Sequence, residues 1–127
     1  RHRPIGRRRE RVLMTNPMTL DGYQLQAETT FIVKENKIEY LALGLASEAG
    51  EVCDKLKKHL RDEGEPLADM DYEKRLAVMQ ECGDVLWYLA NIAAQFQFDL
   101  SSVGEMNLRK LDRRMQLDLI KGSGDER

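Results

Sequence analysis

Along most of the chain, apolar residues recur at intervals of three and four, the spacing that gathers them on one side of an α-helix. "LDGYQLQAETTFIV" aligns Leu20, Gln24, Ala27 and Phe31, with Thr19 as N-cap, and predicts a first helix over residues 20–33. "KENK" breaks that run. Ile38, Leu41, Leu45, Ala49, Val52, Leu56 and Leu60 then form the stripe of a second helix. "RDEGEPLADMD" joins Gly, Pro and acids without periodicity, which predicts a loop. A third helix is expected from near Tyr72 to about Phe96, with Cys82, Val85, Leu89, Ile92 and Phe96 as its stripe. After "QFDLSS", Ser101 or Ser102 caps a fourth helix reaching about Ile120. No segment alternates at strand period. The expected fold class is all-α, a helical bundle of four main helices.

Composition bounds this picture without changing it. The chain has 127 residues, 42% hydrophobic and 33% charged, which fits one globular domain with a real core. No apolar run has membrane-spanning length, and the basic start leads into no apolar segment of a signal peptide, so a cytoplasmic protein is expected. Cys53 and Cys82 sit in helical patterns beside acids and are expected as reduced thiols. His2 and His59 have no partners at zinc-ligand spacing. The net charge of −2 conceals "RHRPIGRRRERVL", six arginines against one glutamate. Such an arm can hold nucleic acid, but no aromatic is interleaved and the rest of the chain is acidic. It reads instead as a flexible leader ahead of a natural start at Met14 or Met18. The expected organisation is a leader over 1–18, a helical domain over 19–121 and a flexible tail over 122–127.

The candidate chemistry lies in two acidic pairs. Glu48 and Glu51 are three apart on the second helix, and Glu81 and Asp84 are three apart on the third. That spacing makes side chains neighbours on a helix. Each pair borders its helix's apolar stripe, so packing the stripes together brings four carboxylates into one cluster. Their mutual repulsion and desolvation need an offset. A hard divalent cation supplies it, because Mg²⁺ and Mn²⁺ take oxygen ligands and leave positions for water and phosphate. The competing reading is a solvated face, since Glu51 and Lys55 also form an ordinary i,i+4 pair. A ferritin-like di-iron site would want Glu-x-x-His pairs, and there are none.

Cations share these faces. Lys55 and Lys58 follow Glu51, while Asn107, Lys110 and Arg114 align on the fourth helix. Metal beside Lys and Arg suits a polyphosphate, although surface solubility explains Lys110 and Arg114 equally simply. Tyr88, Asn91 and Gln95 continue the column of Glu81 and Asp84. Trp87 and Tyr88 suit core or subunit packing as readily as base stacking.

"LALGLASEAGEVCDKLKK", "ECGDVLWYLANIA" and "NLRKLDRR" together resemble the MazG-like nucleotide pyrophosphohydrolases of the all-α NTP pyrophosphohydrolase group. The resemblance spans about residues 19–114, and the basic leader has no counterpart in it. It implies metal-dependent hydrolysis of a nucleoside triphosphate, a dNTP foremost, to monophosphate and pyrophosphate. It also implies Mg²⁺ or Mn²⁺, two or more ions, on Glu48, Glu51, Glu81 and Asp84, with Glu51 or Glu48 as proton acceptor. Asn107 and Lys110 would lie near sugar or phosphates. Lys55, Lys58 and Arg114 would contact phosphates, and Tyr88, Asn91 and the first helix would form the base pocket. A homodimer or homotetramer completing the bundle is implied as well. Two alternatives remain open: hydrolysis of another phosphoanhydride, such as a phosphoribosyl-ATP-like compound, and a non-catalytic metal-binding helical dimer whose basic arm holds nucleic acid.

Overall fold

The computed structural model describes residues 18–117. Among them are four α-helices, α1 (Leu20–Glu28), α2 (Lys37–Glu63), α3 (Tyr72–Gln95) and α4 (Leu100–Gln116), with one 3₁₀ turn at Leu67–Asp69 and no strand. The expected all-α class is what forms. The basic leader, the expected end of the fourth helix at Ile120 and the polar tail lie outside the described residues. No helix among those described is long and apolar enough to cross a membrane.

The helix ends follow from local chemistry. Thr19 Oγ1 accepts the Gly22 N–H at 3.0 Å and caps α1 as the sequence suggested. α1 then stops at Glu28, short of the expected Val33. There the Thr29 and Thr30 hydroxyls donate back to the Gln26 and Ala27 carbonyls at 2.7 and 2.8 Å. Such local bonds compete with helix continuation, and the β-branched residues that follow do not favour it. α2 runs three residues into the predicted loop and ends where Gly64 takes φ 58° and bonds the Leu60 carbonyl. Asp71 accepts the Lys74 N–H at 2.9 Å and starts α3. α4 begins at Leu100, earlier than a Ser101 or Ser102 cap would allow. Ser101 instead donates its N–H and its hydroxyl to Asp21 at 2.8 and 2.7 Å, so α1 supplies the cap. Those two bonds hold the Asp21 carboxyl below its ordinary pKa.

α2 and α3 form the most extensive pair, and α4 packs on α1 and α3 but not on α2. The core is small: Ala27, Ala90, Ala93 and Leu100, flanked by Tyr23, Leu86 and Trp87. Gln24 pins this junction from inside. Its amide donates to the Ala90 and Phe98 carbonyls at 3.2 and 2.9 Å and accepts the Leu100 N–H at 2.9 Å. Three satisfied bonds offset the cost of burying a polar side chain there.

The buried faces are rotated from the expected stripes. On α2, Leu41 is buried but Ala49 and Leu60 are exposed, and His59 is buried beside Leu60. On α3, Leu89 is exposed, as is the C-cap Phe96 expected in its stripe, while Val78, Ala90, Asn91 and Ala93 turn inward. Small side chains under α1 allow the close approach that Leu89 and Phe96 would prevent.

Candidate functional site

Glu48 on α2 meets Glu81 and Asp84 on α3, and each offers a carboxylate oxygen within 4.8 Å of the other two. The approach depends on Gly44, one turn before Glu48. Any Cβ there would collide with the Tyr88 ring and lie 2.6 Å from its hydroxyl oxygen. Tyr88 follows Asp84 by one turn, so its ring crosses α2 directly beside the acids. Aromatic neighbours brace it: Trp87 and Tyr40 have ring centroids 4.9 and 6.3 Å away, and Phe31 packs edge-on against Trp87. Trp87 Nε1 donates to Thr30 Oγ1 at 2.7 Å, tying this group to the end of α1.

The electrostatics are those of uncompensated negative charge. Loss of solvent, followed by the charges of Asp84, Glu81 and Glu51, raises the Glu48 carboxyl above its ordinary pKa. Tyr23 is raised by burial and by Asp84. Tyr88 is raised by burial and hydrogen bonding to Tyr40, then by Tyr40, Glu48 and Asp84. One ammonium answers: Lys55 Nζ lies 3.0 Å from Glu81 Oε1.

Five of the residues singled out from sequence are thus together: Glu48, Glu81, Asp84, Lys55 and Tyr88. Glu51 is exposed one turn along α2 and is not among the three clustered acids, although its charge reaches Glu48. Lys58 pairs with Asp54, as does Lys57 at 2.6 Å, which holds the Asp54 carboxyl down at about 2 and raises Lys58. Asn107 and Lys110 stand exposed on α4, and Arg114 is buried there. Asn91 is fully buried and its amide donates to the Trp87 carbonyl at 3.0 Å, so it faces the bundle rather than an open pocket.

Sequence reasoning missed His59. It lines a groove of about 220 Å³ between α2 and α3 with Lys55, Lys58, Met70, Lys74 and Val78. The residue is 6% exposed, and neither ring nitrogen has a hydrogen-bond partner. Its Nδ1 comes no nearer than 3.9 Å to Glu63 Oε2. Only its spacing of three from Leu56 hinted at burial.

Three converging carboxylates repel any phosphate unless cations intervene. The same oxygens are the ligands that a hard divalent ion prefers. The donor set therefore fits Mg²⁺ or Mn²⁺ and, through it, a polyphosphate.

The description MazG nucleotide pyrophosphohydrolase domain belongs to a family model that matches residues 36–117, the stretch holding α2, α3 and α4. Gene 37 protein of Mycobacterium phage L5 is 38% identical over 117 residues, which is 87% of this chain and all of that protein. No solved structure matches.

Proposed function

Because the chain belongs to the MazG nucleotide pyrophosphohydrolase family, we propose that it hydrolyses a nucleoside triphosphate, a dNTP foremost, to monophosphate and pyrophosphate. The observation that carries this reading is the meeting of Glu48, Glu81 and Asp84 from two helices inside the matched stretch. These three, with Glu51 beside them, would hold two or more Mg²⁺ ions, and Mn²⁺ would substitute. Bound there, the ions would supply an acidified water and neutralise triphosphate charge.

The chain's own residues do the rest. Whichever of Glu48 and the exposed Glu51 is not saturated by the ions takes the proton of the attacking water. Lys55 moves from Glu81 to a phosphate oxygen once the acids are neutralised. Tyr88, held on Gly44, closes one side of the site and limits how the substrate lies. Lys58, Asn107, Lys110 and Arg114 remain proposed substrate contacts.

A homodimer or homotetramer is part of the proposal. Leu43, Leu89, Leu108 and Met115 are exposed on three helices, apolar surface that a second copy of the chain would cover. The domain is proposed to span 19–121.

The test is a panel of dNTPs and NTPs with Mg²⁺ or Mn²⁺. Monophosphate and pyrophosphate are expected. Diphosphate with orthophosphate, or no turnover by folded protein, would overturn the reading.

A further inference from the structure

We propose that Tyr40 is a positioning residue for the acid cluster: it holds the Tyr88 hydroxyl off Glu48 and Asp84, so that both carboxylates stay open to ions. Its consequence for ions rests on the metal reading above. The hydrogen bond itself does not.

One face of α2 sets the placement. Tyr40, Gly44 and Glu48 follow at intervals of four and stack along one side of the helix. Gly44 has no side chain, and the Tyr88 ring of α3 fills the gap. Its hydroxyl oxygen lies 2.6 Å from where a Gly44 Cβ would stand. Cβ atoms four residues apart on a helix are about 5–6 Å from each other. The Tyr88 oxygen is therefore within side-chain reach of Tyr40 on one side and of Glu48 on the other. Asp84 is a third neighbour, one turn before Tyr88 on its own helix.

A phenol in that place has a choice of acceptors. Its O–H bonds an anionic oxygen about twice as strongly as a neutral one. Such a bond would engage a carboxylate that an ion needs, and ion binding would have to break it. Tyr88 instead bonds Tyr40, and that bond favours the phenol over the phenolate, the sign of a proton donated to Tyr40. Packing fixes both rings. Their centroids are 6.3 Å apart, Phe31 lies 6.3 Å from Tyr40, and Trp87 lies 4.9 Å from Tyr88. With the rings held, only the hydroxyl proton turns, and the Tyr40 oxygen draws it away from the acids. Without that oxygen, the carboxylates are the strongest acceptors within reach.

Tyr40→Phe removes the one oxygen and keeps the ring contacts. Tyr40 is 46% exposed, so the fold tolerates the change. Two readouts on the full chain test the role. One is Mn²⁺ affinity by electron paramagnetic resonance. The other is the side-chain carboxyl ¹³C signals of Glu48 and Asp84 in EDTA, assigned with Glu48→Gln and Asp84→Asn. Tyr40→Phe should weaken Mn²⁺ binding by about fivefold and shift at least one of the two carboxyl signals. Tyr88→Phe added to Tyr40→Phe should restore both, a rescue that mere loss of packing would not permit. Unmoved carboxyl signals, unchanged Mn²⁺ affinity, or a double variant as weak as the single one would overturn the role. A parent protein that bound no Mn²⁺ would defeat the metal reading, and the carboxyl signals alone would then decide whether Tyr40 holds the hydroxyl.

Discussion

Replacing Glu48 by Gln should stabilise the metal-free protein and weaken its response to metal. The carboxylate oxygen of Glu48 lies within 4.8 Å of those of both Glu81 and Asp84. Two unit charges at that separation repel by about 1 kcal/mol in a water-like dielectric. Two such repulsions act on Glu48, while Lys55 at 3.0 Å from Glu81 cancels part of one. With solvent screening, the net gain from Glu48→Gln is about 0.5–1 kcal/mol. For a domain of this size that raises the melting temperature by about 2–5 °C. Mg²⁺ or Mn²⁺ should reverse the order, because a ligand that binds only the folded state stabilises it by mass action, and the amide is the poorer ligand. Thermal melts in EDTA and then in excess metal read both halves. A variant no more stable than the parent in EDTA, or an equal metal increment in both proteins, would refute the reasoning.

The pH dependence has a definite sign. Glu48 is raised in the folded state, so folded protein binds the extra proton between the ordinary carboxylate pKa and the raised one, and metal-free stability falls as pH rises through that window. Denaturation in EDTA should show the advantage of Glu48→Gln growing as pH rises from about 4 to about 7; a flat difference would count against the cluster. Asp54, held at about 2, acts oppositely, contributing above the ordinary value and losing that contribution as pH falls. Lys55→Met should tighten Mn²⁺ binding without nucleotide by about fivefold while lowering turnover, because the ammonium opposes the ion at Glu81; Mn²⁺ titration by electron paramagnetic resonance measures this, and unchanged affinity would contradict it. Gly44→Ala should cost about 1–3 kcal/mol and more activity than stability, since its Cβ meets the Tyr88 ring. Gly50→Ala, with nothing within 4 Å, is the control and should be neutral or stabilising in the same melts.

Four helices were legible because three- and four-residue spacing and a Thr cap are local signals. The α3 start at Tyr72 and the Thr19 cap follow from them directly. The early stop of α1 depends on two threonine hydroxyls turning back on the chain, a competition that apolar spacing does not register. Which side of α3 turns inward was also hidden. That helix is apolar over a broad arc, and only α1 decides that Ala90 and Ala93 pack while Leu89 and Phe96 stay outside. The meeting of Glu48 with Glu81 and Asp84 was legible in acids spaced three apart on two neighbouring helices, although Glu51, expected with them, stays outside the cluster. His59 and Gln24 were not, since a buried polar group makes sense only through its tertiary surroundings.

One reaction tests the whole account: a dNTP incubated with the full chain and Mg²⁺ in ¹⁸O-labelled water, with products resolved by mass spectrometry. Attack of water on the α-phosphorus, as proposed, gives monophosphate carrying one labelled oxygen and unlabelled pyrophosphate, and Glu81→Gln should lose both products. Label in pyrophosphate or in free orthophosphate would place the attack on another phosphorus and contradict it.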